Sequence, residues 1–288
     1  MKFRKVVIVG VGLIGGSIGK AILSRGLAEN VAGVCRRQES LDKALKEKSF
    51  SAGFINDYAK AVDGADLIII ATPVHTIKPV LVSLAECVRD KNVIVTDVGS
   101  TKKEIVEFAE RFSGNFSFVG GHPLAGSEKT GVEYSTSDLF ENSVCVLTEN
   151  LSTDEPALKA LRALWGSMGA EVLVMSPDKH DEILAFTSHL PHIMAYALSG
   201  CQKAEYYKFM STGFRDTTRI ASSDPGLWTD IFMSNRDNVL KSIECFKKVL
   251  SDIENGITEK DEQGLKKSLG SYKKVRDDAF QGYECGRD

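Results

Sequence analysis

No two cysteines in the sequence stand close enough to form a metal site or a disulfide frame. The six are scattered at positions 35, 87, 145, 201, 245 and 285, with no C-x-x-C spacing. They read as the reduced thiols of a cytoplasmic protein. An excess of one charge is also missing. The chain has 36 lysines and arginines against 39 acidic residues, a formal net charge of −3, so no global field recruits nucleic acid or an anionic membrane surface. No apolar run approaches the roughly 18 residues of a membrane span, and the first apolar stretch is too short and too glycine-broken to read as a secretory leader. Internal repeats and low-complexity tracts are lacking as well. What remains is a chain of 288 residues, long enough for two domains and a sizeable core without covalent staples.

Glycine is placed with more purpose. Val6 to Val9 is a β-branched run, the pattern of a strand buried on both faces of a parallel sheet, and it leads into Gly10-Val11-Gly12-Leu13-Ile14-Gly15 and a helical pattern. Between strand and helix, the first glycine of such a motif permits the tight turn. The second lets backbone approach a pyrophosphate, and the third lets the helix pack on the strand. The amides of the helix N-terminus then face the anion. A dinucleotide site is therefore predicted on Gly10, Gly12, Leu13, Ile14 and Gly15. A second strand, Val31 to Val34, ends in Cys35-Arg36-Arg37 about 20 residues past the last motif glycine, where an acidic residue would hold the ribose 2′-hydroxyl of NAD. Two guanidiniums stand there instead, and the arginine fork suits a phosphate. Arg36 and Arg37 thus favour NADP over NAD; the alternative is a pair of solvated arginines beside an NAD site that lacks its usual anchor.

Further strands are expected over Asp66 to Ala71 and Val93 to Asp97, and helices over Leu41 to Lys48 and Val80 to Val88. This alternation predicts an α/β fold, a doubly wound parallel sheet (Rossmann-like) with right-handed crossovers. Ligands of such sheets bind at the carboxyl ends of the strands. Thr72, Pro73, Asp97, Ser100 and His122 all follow predicted strands and should converge on one crevice. The last of these lies in Gly120-Gly121-His122-Pro123-Leu124-Ala125-Gly126-Ser127-Glu128-Lys129-Thr130-Gly131, a glycine-rich stretch after the apolar run Phe116 to Val119, read as a ligand-handling loop. His122 is the one group in it whose ordinary pKa lies near neutrality, which makes it the candidate proton acceptor. The alternative is a turn histidine satisfying a backbone carbonyl.

After two more strand-like runs, Val144 to Leu147 and Glu171 to Met175, the pattern becomes wholly helical from Ser176 onward, with Asp178 as a cap and one break at Pro191. This places a dinucleotide-binding domain at 1–176 and an all-α substrate and dimerisation domain at 177–288. Within the latter, Ser188-His189-Leu190-Pro191-His192 sets two histidines three apart. No carboxylate or cysteine completes a ligand set, so no metal is expected, and His192 is the histidine expected to face the crevice. Gly213-Phe214-Arg215-Asp216-Thr217-Thr218-Arg219 carries two arginines suited to a substrate carboxylate, or to a set of surface ion pairs.

Together these motifs resemble the prephenate/arogenate dehydrogenase family of tyrosine biosynthesis over nearly the whole chain. The likeness is carried by the glycine motif, Asp97-Val98-Gly99-Ser100-Thr101-Lys102, Gly121-His122-Pro123-Leu124-Ala125-Gly126-Ser127-Glu128, Ser188-His189-Leu190-Pro191-His192 and Asp216-Thr217-Thr218-Arg219-Ile220-Ala221. The resemblance implies an oxidative decarboxylation of prephenate or arogenate with hydride transfer to NAD(P), by a homodimer. It casts His122 as the catalytic histidine on the ring hydroxyl, kept neutral by a nearby arginine. Ser100 matches a serine that orients the histidine or the hydroxyl near the nicotinamide, and Arg219 the clamp on a substrate carboxylate. Glu128 matches the partner of Arg219, next to Ser127, while His192, Asp216 and Trp228 match residues lining the substrate pocket. Arg215 has no assigned role. Two other readings compete: an NADP-dependent β-hydroxyacid or imine reductase, which would use a lysine of the helical half, and a non-catalytic NADPH-binding regulator.

Overall fold

The computed structural model describes residues 2–126 and 129–281. The chain begins with β1 (Phe3–Val9), α1 (Leu13–Ser24), β2 (Ala28–Cys35), α2 (Gln38–Lys46), β3 (Ala52–Ile55), α3 (Tyr58–Val62), β4 (Leu67–Ile70), α4 (Val74–Cys87), β5 (Ile94–Asp97), α5 (Lys103–Ala109) and β6 (Ser117–Val119). The six strands form one sheet in the order β3-β2-β1-β4-β5-β6, with every pair parallel. Its strands read as unbroken apolar runs because both faces are covered. Successive side chains point to opposite sides. Accordingly Val6, Ile8, Leu67 and Ile69 enter one buried cluster, and Val7, Val9, Ile68 and Ile70 enter the other. The strand order reverses between β1 and β4, so the loops leaving these two strands border a crevice. The doubly wound parallel sheet read from the sequence is thus the fold of this half. The short β3 and α3 escaped that reading, being too brief to show a period.

A second sheet was not expected. β7 (Gly121–Pro123) runs antiparallel to β8 (Val144–Thr148); α6 (Glu155–Ser167) follows, and β9 (Glu171–Met175) pairs parallel with β8. His122, expected in a loop, sits in the middle of β7 opposite Val146. The missing side chain at Gly121 is what brings β7 in: a Cβ there would lie 2.8 Å from the Asp97 carbonyl oxygen.

Helices then take over: α7 (Pro177–Leu184), a π-helical turn (Ala185–His189), α8 (Leu190–Gly200), α9 (Thr212–Thr218), α10 (Pro225–Ser234), α11 (Arg236–Thr258) and α12 (Glu262–Phe280). The cap of α7 is Ser176, whose hydroxyl accepts from the Lys179 N–H, with Asp178 in the first turn instead of the cap. Pro191 lies in the first turn of α8, directly after the π-helical turn with which that helix is continuous. By compactness the chain forms two units, Met1–Arg236 and Asp237–Asp288, so the change of element type at residue 176 falls inside the first. Among the described residues no helix is long and apolar enough to cross a membrane.

Candidate active site

The turn after β1 is shaped by what its glycines omit. A Cβ at Gly10 would lie 2.3 Å from the Ala71 carbonyl oxygen, and its φ of +107° is one that L side chains rarely adopt. A Cβ at Gly15 would lie 1.9 Å from the Gly10 carbonyl oxygen, so α1 packs against the turn only without one. Around Gly12 there is open space instead. Gly12 also occupies the N-cap of α1 with no side chain to satisfy the first-turn amides, among them those of Leu13 and Ile14. The result is a backbone-lined anion cradle at a helix N-terminus, which fits a diphosphate. Beside it, Thr72 and Pro73 form the exit of β4, and the Thr72 Oγ1 is buried with no hydrogen-bond partner among the described residues. Arg36 and Arg37 are exposed just past β2 and form no ion pair among the described residues.

At the end of β5 the Asp97 carboxylate has no exposure and ties the loop between β5 and α5 to the start of β7. It accepts from the N–H of Gly99 (2.8 Å), the N–H of Gly121 (3.2 Å) and the Nζ of Lys102, while Lys102 Nζ also donates to the Gly121 carbonyl (2.7 Å). Asp97 was expected at the cofactor. Its oxygens are engaged with Gly99, Lys102 and Gly121, where they hold the strand that carries His122.

His122 is 9% exposed, and its Nδ1 lies 2.9 Å from Nε2 of His180 on α7. The Nδ1 of His180 lies 2.7 Å from Oδ1 of Asp181, whose two oxygens also accept from the N–H groups of Lys102 (2.8 Å) and Lys103 (3.0 Å). Burial above all holds His122 well below the ordinary imidazole pKa of 6.5, helped by His180, Lys102 and His189. The arginine expected in that role is not among the causes; the neighbouring fixed cation is the buried lysine. His180, Asp181 and Lys102 escaped the sequence reading as site residues. His180 stands 58 positions from His122, and only the adjacent His-Asp pair in the first helix after the strands could have hinted at it. Ser100 is half-buried in the loop after β5.

The helical residues arrive through α10, which is pinned to the sheet region by His75 Nδ1 2.6 Å from Asp230 Oδ2 and by Thr101 Oγ1 3.0 Å from Ser234 Oγ. Asn235, just after α10, donates its Nδ2–H to the Asp181 carbonyl (2.7 Å) and to His189 Nδ1 (3.3 Å). Burial lowers the pKa of His189 to about 4, against the pull of Asp181. His192 donates from Nδ1 to the Ser188 carbonyl (3.0 Å) and stacks on the buried Trp228, with ring centroids 3.4 Å apart. Its pKa is lowered by burial and by the charge of Arg219. Electrostatic influence therefore passes from Arg219 to His192, from His192 to His189 and from His189 to His122, and both His189 and His192 lie against the Trp228 ring. Arg219 is exposed and forms no ion pair among the described residues. Asp216 is exposed beside Arg215, at 3.9 Å. Ser127 and Glu128 lie outside the described residues.

Residues 18–174 match the family model of the prephenate dehydrogenase nucleotide-binding domain, and residues 176–271 match that of the prephenate dehydrogenase dimerization domain. The prephenate dehydrogenase of Bacillus subtilis (strain 168) is 35% identical over 283 residues, 94% of this chain and 75% of that protein. The crystal structure of prephenate dehydrogenase from A. aeolicus in complex with hydroxyphenyl propionate and NAD+ has a TM-score of 0.90 at 36% identity, covering 97% of this chain and 99% of the other. Synechocystis arogenate dehydrogenase has a TM-score of 0.82 at 30% identity, covering 96% of this chain and all of the other.

Proposed function

The chain belongs to the prephenate dehydrogenase family, and from that premise we propose how its own residues carry out the family's oxidative decarboxylation in tyrosine biosynthesis. It is a dehydrogenase that binds NAD(P), and the β-hydroxyacid reductase and regulator readings give way. Bound NAD(P) would supply the hydride acceptor for the ring carbon that bears the hydroxyl. The diphosphate is held by the open backbone at Gly12 and the amides of Leu13 and Ile14. His122, neutral when substrate arrives, accepts the hydroxyl proton as carbonyl character develops. As the carboxylate on the opposite ring carbon leaves as carbon dioxide and the ring aromatises, the imidazole gives the proton back. The observation that carries this reading is the buried His122 beside the carboxyl end of β5, held neutral by its burial and backed by His180 and Asp181.

Arg219 clamps a substrate carboxylate, with His192 and Trp228 forming the wall beside it. A charge-assisted bidentate pair contributes roughly 1.5–3 kcal/mol. Arg219→Ala is therefore expected to raise KM by about tenfold to a hundredfold while kcat changes less, as read by steady-state kinetics; an unaltered KM removes Arg219 from the substrate.

The cofactor is NADP, with Arg36 and Arg37 on its 2′-phosphate. Their exposure past β2, and the absence of a carboxylate partner among the described residues, support this. Arg36→Asp is expected to move the ratio of kcat/KM for NADP over NAD by about tenfold or more toward NAD, the scale of one lost charged contact. A ratio that stays put sinks the NADP assignment. The enzyme works as a homodimer: α11 and α12 leave Leu250, Ile257, Leu269 and Val275 exposed, apolar surface suited to a second copy. The five described cysteines are all free thiols, which fits a cytoplasmic setting. An assay of prephenate and of arogenate, each with NAD and with NADP, tests the whole reading; turnover of neither substrate overturns it.

A further inference from the structure

Asp181 leaves the two histidines in front of it only one arrangement of protons. A carboxylate accepts and cannot donate, so the His180 Nδ1 at 2.7 Å carries a hydrogen. The Nε2 of that neutral ring is then a lone pair. His122 Nδ1, 2.9 Å away, must be the donor to it. The His122 Nε2 is left bare, and it is the nitrogen free to take a proton.

We propose that His180 and Asp181 form a proton relay behind His122, in which the two imidazoles take up a single proton together and hold it on His180. This rests on the reading of His122 as the acceptor of the substrate hydroxyl proton. When that proton bonds to Nε2 of His122, the Nδ1–H bond of His122 breaks and its proton forms a new bond at Nε2 of His180. His122 is then neutral in its other tautomer, and His180 is the cation, hydrogen-bonded to the Asp181 carboxylate. As carbon dioxide leaves and the ring aromatises, both transfers reverse and the oxygen recovers its proton. The proton count closes without an outside donor, and His180 acts as a positioning residue through His122.

The surroundings of the two rings explain why the charge rests on the second. His122 is faced by His180 from α7, by Lys102 from the loop before α5 and by His189 from the π-helical turn, with no carboxylate among the causes that act on it. Burial lowers the pKa of His180 too, but Asp181 on its own helix and Asp97 at the end of β5 pull it up, against Lys102. Both carboxylates thus favour the ring further from substrate. Asp181 cannot swing away, because the backbone N–H groups of Lys102 and Lys103 hold its two oxygens. A relay of this kind also keeps a buried cation off His122, whose neighbours would oppose it.

Two measurements on the full-length protein test the relay. In His180→Gln the side-chain oxygen still accepts the His122 Nδ1–H, so the tautomer is kept, but glutamine cannot take a proton. The expected result is a fall in kcat of about ten- to a hundredfold with KM little changed, less than the roughly 10²–10⁴ of losing a base outright because His122 is still present. The acid limb of kcat/KM should also move to lower pH, because protons no longer reach the ring backed by carboxylates. A purely structural role would lower activity without moving that limb, so a limb left at the wild-type pH overturns the relay. The second measurement needs neither variant nor turnover. Long-range proton–nitrogen NMR of the imidazole rings, without substrate, should show His122 and His180 both as Nδ1–H tautomers at neutral pH, with His180 protonating first on acidification. Finding His122 as the Nε2–H tautomer overturns the proposal. Because the ring spectra are read without turnover, their outcome stands apart from the assay of prephenate and arogenate that judges the reaction itself.

Discussion

His122→Asn lowers kcat by roughly a hundredfold or more and leaves the affinity for NAD(P) unchanged. The amide is similar in size and can still hydrogen-bond, but it cannot take up a proton, and loss of a positioned base typically costs 10²–10⁴. Cofactor affinity is spared because the diphosphate cradle is built from the β1–α1 turn, whereas His122 sits on β7. Steady-state kinetics together with a cofactor titration separate the two effects. Turnover equal to wild type would take His122 out of the mechanism. The wild-type pH profile carries the complementary expectation: burial, His180 and Lys102 keep the imidazole neutral below its ordinary 6.5, so the acid limb of kcat/KM lies below that pH.

Lys102→Met destabilises the protein by about 3–5 kcal/mol, the usual result of removing one partner from a buried ion pair. Both side chains of the pair have no exposure. Burial pulls the Lys102 pKa down while Asp97 opposes it, so the ammonium persists only through its partners. Without it, the Asp97 carboxylate keeps two backbone N–H donors but no counter-charge, and the Gly121 carbonyl loses a donor. The unfolding midpoint in denaturant reports the loss. The double variant Asp97→Asn/Lys102→Met should recover part of it, because a neutral amide strands no charge. Stability within 1 kcal/mol of wild type for the single variant would show that the pair is not the strut described. Because Gly121 precedes His122, kcat should fall as well.

These two residues also mark where reading the sequence succeeds and where it fails. His122 stood out locally, as an ionisable group near neutrality among glycines. Lys102 sits in an equally conspicuous segment, yet its burial could not be read there, since lysine is nearly always exposed and nothing nearby in the chain announces Asp97 as its partner. Asp97 itself was assigned to the cofactor because it ends a strand. The fold places its side chain inward, onto Gly99, Lys102 and Gly121. The cation near His122 was expected to be arginine for the same reason: a charge can be counted in a sequence, but its distance cannot.

The parallel sheet, the nucleotide turn and the family were all legible in one dimension. They depend on local periodicity, on glycine at positions a Cβ would block, and on motifs a few residues long. Folding alone made His122 part of a buried chain running to Asp181. Elements 58 residues apart are joined there by hydrogen bonds in a site dry enough for each one to decide which nitrogen holds a proton.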